Sequence, residues 1–200
     1  MNAPILPKRQ CGDCTQCCTE LKIDTPELKK KPQVSCRHLT AAGCGIYDKR
    51  FPICHEFLCG WRLFPELDDA WRPDLSGVLI VRLSPDNVPE AYRAPGYGMQ
   101  MDITGGETAV RRPGFAEYVA GQVACGVAVQ MSAASPATLV NAFLDGVTDI
   151  EDVRQTLLWL HGLLHAARWK RGVGMLLPLY RLKLEQQRAA ALKNTNKSIG

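Results

Sequence analysis

The sequence predicts an α+β protein in three parts, and three observations lead to that reading. Eight of the nine cysteines lie between Cys11 and Cys59, in a stretch with many turn residues and few long apolar runs. A β-branched run, Gly77-Val78-Leu79-Ile80-Val81-Arg82-Leu83, ends in the turn cluster Ser84-Pro85-Asp86-Asn87. After residue 132, apolar residues recur at helical spacing between residues that start and stop helices.

The 200 residues are 46% hydrophobic and 22% charged, an ordinary globular balance. Such a chain buries a useful core without crosslinks, so the cysteines are not needed to explain why the whole chain folds. The start, Met1 to Arg9, has no apolar stretch of signal-peptide length and is interrupted by Pro4 and Pro7. No run of about 18 apolar residues occurs, so no membrane span is expected. The expected compartment is the reducing cytoplasm, where stable disulfides are rare. Clustered thiols there read as metal ligands. The net charge of +4 is modest and forms no long basic run after Cys59, so nucleic-acid binding is not indicated.

Residues 1–65 form the cysteine-rich region, with Gly12, Gly43, Gly45 and Gly60 as turn formers. A helical turn is expected after Thr25-Pro26-Glu27, because Thr25 can cap and Pro26 suits the first helical position. Such a region buries too little apolar surface to fold alone, so it is expected to be organised by metal. Residues 66–132 are the β-containing segment. Strands are expected over 77–83, Pro89 to Ala94, Gly98 to Thr104 and Val127 to Met131. A hairpin turn is expected at Gly105-Gly106 leading into Glu107 to Val110, and a helix near Pro113. Residues 133–192 are expected to be helical. Ser135-Pro136 reads as a helix start and Gly146 as its stop. Thr148 with Glu151 reads as a capping box, and Ile150, Val153, Leu157, Leu160 and Leu164 recur at helical spacing. Gly172 and Gly174 stop that helix, a last one runs from about Leu176 to Leu192, and residues 193–200 form a loose polar tail.

The chemistry lies in the string Cys11-x2-Cys14-x2-Cys17-Cys18, followed by Cys36, Cys44, Cys54 and Cys59. A two-residue gap lets the chain curl so that both sulfurs face one ion. Cys11, Cys14 and Cys17 therefore read as a single-site trio, completed to tetrahedral geometry by one remote cysteine. Adjacent side chains diverge, so Cys18 serves a second site or bridges two metals. Eight thiols allow two four-thiolate sites, or one cluster plus one structural ion. Soft sulfur suits zinc or an iron–sulfur cluster, and not magnesium or calcium. The trio's spacing also resembles the first three positions of a bacterial ferredoxin run, although no Cys-Pro follows at the fourth. Lys8, Arg9, Arg37, Lys49, Arg50 and Arg62 lie close enough in sequence to offset the negative charge of thiolate sites.

Cys11-Gly12-Asp13-Cys14-Thr15-Gln16-Cys17-Cys18, then Cys36-Arg37-His38-Leu39, Gly43-Cys44-Gly45-Ile46-Tyr47-Asp48-Lys49-Arg50, and Cys54 with Phe57, Cys59, Gly60 and Trp61, resemble the YkgJ-type cysteine-cluster family. That family is described as a zinc- or iron-chelating domain. The likeness covers about a third of the chain, residues 11–74 when Trp71-Arg72-Pro73-Asp74 is included. Two positions depart from the family pattern: Phe51 stands between Arg50 and Pro52 where Arg-Pro is usual, and His55 follows Cys54 where Arg is usual. No cysteine is lost by either change. The resemblance implies chelation by the eight cysteines, and it implies no settled activity.

The other candidates are weaker. His38 and His55 lie inside the cluster and could ligate or support ligands. Tyr47, Phe57 and Trp61 read as an apolar wall over the sulfurs. His161 and His165 share a helical face but lack the Glu of a zinc-protease motif. Cys125 reads as a small buried apolar residue. Gly96-x-Gly98 lacks the strand–turn–helix setting of a phosphate loop, and Asp68-Asp69 and Glu151-Asp152 read as solvated charge. With no catalytic constellation outside the cysteines, the favoured function is metal binding in a structural, chaperone or sensing role, with a protein partner possible. The alternative is an iron–sulfur enzyme or electron carrier. Related cysteine clusters occur in a flagellin lysine N-methylase, which makes protein modification one family-level form of that alternative.

Overall fold

The computed structural model describes residues 9–133 and 137–167. The cysteine-rich stretch is built from pieces too short to bury a core of their own. They are α1 (Gln16–Glu20), the two-residue strands β1 (Ile23–Asp24) and β2 (Lys29–Lys30), the hairpin of β3 (Leu39–Thr40) and β4 (Gly43–Cys44), and α2 (Pro52–Glu56). Both small ladders are antiparallel. Gly43, at φ +104°, makes the tight turn into β4, and the Thr40 hydroxyl donates to its carbonyl at 2.9 Å.

The helical turn expected after Thr25 is a hairpin loop instead. Thr25 does cap, but it closes the loop on itself. Its N–H donates to the Leu28 carbonyl at 3.0 Å, and its hydroxyl accepts the Leu28 N–H at 3.1 Å. Leu28, 1% exposed, is pulled inward and leaves no room for a continuing helix.

Two four-residue helices, α3 (Gly60–Leu63) and α4 (Pro73–Ser76), lead into the main sheet. Its strands are β5 (Val78–Leu83), β6 (Gly98–Ile103), β7 (Ala128–Ser132) and β8 (Thr138–Leu139), in that spatial order. The β5–β6 and β7–β8 pairs are antiparallel, and β6–β7 is parallel. A parallel pair needs a long crossover, which is supplied by α5 (Gly106–Arg111) and α6 (Phe115–Ala124). Here the expected Gly105-Gly106 hairpin is corrected. A hairpin would make the next strand antiparallel to β6, whereas the chain turns into α5. Gly105 lies against Gly77, and its N–H donates to the Gly77 carbonyl at 2.9 Å. The strand expected over Pro89 to Ala94 is a 3-10 turn at Glu90–Tyr92.

After β8 come α7 (Asn141–Leu144) and α8 (Ile150–Ala167). The helix start read at Ser135-Pro136 lies outside the described residues, and Thr138–Leu139 is a strand, so α7 begins later than expected. Asn141, 3% exposed, accepts the Val129 N–H and donates to the Val127 carbonyl, both at 2.8 Å. It thereby continues the β7 ladder with a side chain. The cap of α8 is Asp149 rather than Thr148. The Asp149 carboxylate accepts the N–H groups of Glu151 and Asp152 at 2.8 and 3.1 Å. Val153, Leu157, Leu160 and Leu164 are buried as the spacing requires, while Ile150 is exposed. The stops at Gly172 and Gly174, the helix over 176–192 and the tail lie outside the described residues.

Trp61, Phe64, Leu67 and Trp71 join the same core as Ile80, Met99, Met101 and Phe115. Residues on both sides of position 65 therefore share one apolar interior. A Cβ on Gly60 would meet Ile80 at 2.6 Å, so α3 lies on the Ile80 face of β5. Gln100 and Asp102 point to the opposite face, because strand side chains alternate. On that face Glu20, Leu21, Lys22, Pro32 and Gln33 line one cavity with Gln100, Asp102 and Ser132. The cysteine-rich lobe thus reaches both faces of the sheet. Among the described residues no helix is long and apolar enough to cross a membrane.

Candidate metal centre

The first cysteine pair is shaped by Gly12, whose φ of +55° bends the chain. The Cys14 N–H then donates to the Cys11 carbonyl at 3.0 Å. Cys17 and Cys18 follow on α1. Two arginines clasp this segment to α3. The Arg9 guanidinium donates to the carbonyls of Trp61, Phe64 and Leu67. The Arg62 Nε donates to the Arg9 carbonyl at 2.8 Å. Arg62 Nη1 stands 3.9 Å from Cys11 Sγ. Cys59, at the N-terminus of α3, is the one buried member of the eight.

The remaining cysteines come from the outer hairpins and α2. The Cys36 N–H donates to the Cys18 carbonyl at 2.9 Å. The Leu39 N–H donates to the Cys36 carbonyl at 2.9 Å, and Leu39 is paired with Cys44. The Cys54 N–H donates to the Phe51 carbonyl at 2.8 Å. The Phe51 ring lies 5.7 Å from that of His38, beside β3.

These elements enclose a cavity of about 160 Å³, lined by Cys11, Cys14, Cys17, Cys18, Cys36, Cys44 and Cys54. All nine cysteines are free thiols. Leu21, Ile23, Leu28, Ile46, Ile53 and Phe57 make much of the remaining wall. Of the expected aromatic wall, Phe57 and Tyr47 line the cavity, but Trp61 does not. Trp61 is 6% exposed in the sheet core, under the Arg9 guanidinium. His38 lines the cavity, and its Nε2 accepts from Arg37 at 3.1 Å. His55 is exposed and lines no part of it. Cys125 is also exposed, at the end of α6, contrary to the buried position expected for a small apolar residue.

The thiols act on one another. Burial pushes the Cys14 thiol up to about 11, and the Asp74 carboxylate adds to the rise. The Cys17 thiol donates to Cys18. That contact and burial raise Cys17, and the same contact lowers Cys18, with Lys30 and Arg50 helping. Burial also raises Cys54 and Cys59. Low-dielectric surroundings penalise a bare thiolate and favour the neutral thiol.

Two charged residues near the sulfurs have no counterpart in the sequence reading. Lys30 is 7% exposed, and its Nζ donates to the carbonyls of Thr19 and Val34 at 2.7 Å each. Nothing distinguishes it in sequence from Lys29 and Lys31. Asp74 takes a two-pronged pair of bonds from Arg72, at 2.8 and 2.6 Å, and Arg72 also reaches Asp13 at 3.2 Å. Although burial works the other way, Arg72 holds the Asp74 carboxyl below its usual range. The only sequence signal for this pair was the extension of the family resemblance to Trp71-Arg72-Pro73-Asp74. Of the cations expected to offset the thiolates, Arg50 and Arg62 stand beside them. Arg9 serves the α3 carbonyls instead, and Arg37 is exposed and donates to the Glu27 carbonyl.

Among the described residues no group of three or more His, Cys, Asp or Glu side chains is arranged to hold a metal ion. Seven of the eight clustered thiols line one cavity with Arg50, and Arg62 stands near Cys11; soft sulfur donors of this kind would suit a thiophilic ion. Each sulfur moves by rotation about χ1 alone. His161 and His165 face each other on α8 with ring centres 6.1 Å apart. His161 is buried, and burial, followed by its partner His165, lowers its basicity. Compared with protein-family models, curated proteins and solved structures, the chain matches none of them.

Proposed function

We propose that this protein binds metal, zinc or an iron–sulfur cluster, through up to eight thiolates, in a structural, chaperone or sensing role. The observation that carries the reading is the convergence of seven cysteines on one cavity from five short elements and loops. These thiols arrive from positions up to 43 residues apart, Cys11 to Cys54, and a shared ion would account for their meeting. An ion that binds only the folded arrangement stabilises it by mass action, and small cysteine-rich regions fold on that energy. His38 lines the cavity with the thiols, but its Nε2 accepts from Arg37 at 3.1 Å.

The second reading, an iron–sulfur enzyme or electron carrier, draws on the apolar wall of Leu21, Ile23, Leu28, Ile46, Ile53 and Phe57. A dry shell of that kind tunes and protects a cluster. Elemental analysis and an absorption spectrum of anaerobically purified protein test both. About two zinc ions per chain and no colour leave only the first reading, whereas about four irons with a brown chromophore fit either, and reversible reduction of that chromophore then favours the second. Less than about half an equivalent of any transition metal, with all thiols titratable, rejects both.

A further inference from the structure

We propose that the cavity between the cysteine-rich lobe and the sheet binds a primary alkylammonium group through Asp102 and Glu20. This site is separate from the thiol cavity, and the proposal does not depend on the metal-binding reading.

The sheet face that carries Gln100, Asp102 and Ser132 would ordinarily meet water. Here the lobe covers it, and a cavity of about 250 Å³ lies between the two, with Glu20, Leu21, Pro32 and Gln33 on the lobe side. Protein interiors otherwise close to the density of organic crystals, so a gap of this size with polar walls is room for a ligand or for water. The sheet side is a preformed polar surface. Ser132 is 4% exposed, Gln100 Nε2 donates to Asp102 Oδ1 at 2.7 Å, and Ser132 bonds the same carboxylate. The lobe side is fixed as well. Gln33, the one non-glycine residue with positive φ among the described residues, donates its N–H to the Glu20 carbonyl at 3.3 Å.

Charge selects the ligand. Among the described residues neither Asp102 nor Glu20 belongs to an ion pair. The neighbouring cations are spent elsewhere. Lys22 pairs with Asp24 at 3.3 Å, and the Lys30 Nζ donates to the carbonyls of Thr19, Lys31 and Val34. A carboxylate taken out of water without a partner is costly. The Asp102 carboxyl is raised accordingly, by burial first and then by the charge of Glu20. A cation between the two side chains relieves both. An ammonium group brings three N–H donors to a wall rich in oxygen acceptors. Leu21, Pro32 and Ile103 in the same wall suit an alkyl stem and not a hydrated metal ion.

A free alkylamine and a lysine side chain of a partner protein present the same chemistry, and the test separates them. The full chain as purified is titrated by calorimetry at neutral pH with n-butylammonium, with Nα-acetyl-lysine amide, and with n-butanol as the uncharged match. Saturable binding of the ammonium probes and none of butanol is expected. Tighter binding of the lysine amide points to a partner's side chain, and tighter binding of butylammonium to a free amine. Asp102→Asn and Glu20→Gln, which keep the shape and remove one charge each, should each weaken binding by about tenfold or more. Thermal melts confirm that the variants are folded. Glu27→Gln, on the exposed hairpin loop and outside the cavity wall, should leave the affinity unchanged. No saturation by millimolar ammonium probe, equal binding of butanol, or wild-type affinity in both charge-removing variants overturns the proposal.

Discussion

Cys14 and Cys125 show what an identical side chain does in two settings. Cys125→Ala should leave the metal content unchanged and alter stability by about 0.5 kcal/mol or less, since the residue is exposed. Cys14→Ser should cost one equivalent of metal, because a serine oxygen is a poor ligand for a soft ion. Metal-to-protein ratios of the two variants, measured together, check this, and the reverse pattern would sink the ligand assignment. A second residue with a testable signature is Asp102. Burial raises its carboxyl pKa, with the nearby Glu20 charge adding, against lowering bonds from Gln100 and Ser132. A group with a raised folded pKa contributes stability below its unfolded pKa and loses that contribution as pH rises through the folded value. Asp102→Asn should therefore be more stable than wild type at pH 7, with the gap closing as pH falls through the raised folded value and gone by about pH 4. Thermal melts across that range are the measurement, and a pH-independent gap would show that burial of the charge is not the cause.

At the scale of elements, what matters is how short pieces are pinned. α7 has four residues and no cap, and it is held to β7 by the two bonds of Asn141. Asn141→Leu keeps the bulk but strands two buried backbone groups. It should lower the unfolding free energy by about 2–4 kcal/mol, read from urea denaturation. The sequence offered no hint of this, because Asn141 sits in an ordinary helical pattern and its partners lie 12 and 14 positions away. The strands over 78–83, 98–103 and 128–132 were legible: the first is a β-branched run and the other two alternate apolar with polar residues between turn signals. The Gly105-Gly106 error has the opposite origin. Two glycines suit a hairpin, and they suit equally the close approach of Gly77 to Gly105 that the parallel crossover requires.

For the molecule as a whole, the question is how far loss of metal propagates. The cysteine-rich lobe has no apolar core of its own, whereas Trp61, Phe64, Leu67 and Trp71 belong to the sheet core. Strong chelation should therefore open the lobe and leave the sheet and helices standing. Trypsin should then cut after Lys29, Lys30, Arg37, Lys49 and Arg50, while a fragment beginning near Phe51 resists and most of the helical circular dichroism survives. Complete loss of helix on chelation would mean that lobe and sheet fold as one unit.

The sequence by itself determined the α+β class, the clustering of eight cysteines, their CxxC turns and the amphipathic face of α8, because each of these is a matter of local spacing. Tertiary structure decided that Arg62, three residues after Cys59, reaches Cys11, that Lys30 rather than its two lysine neighbours is buried, that Trp61 serves the sheet and not the sulfurs, and that Cys125 faces solvent. All four depend on where distant segments meet. Here that meeting is set by the arginine clasp on α3 and by the packing of the lobe against both faces of the sheet, and neither leaves a periodic trace in the chain.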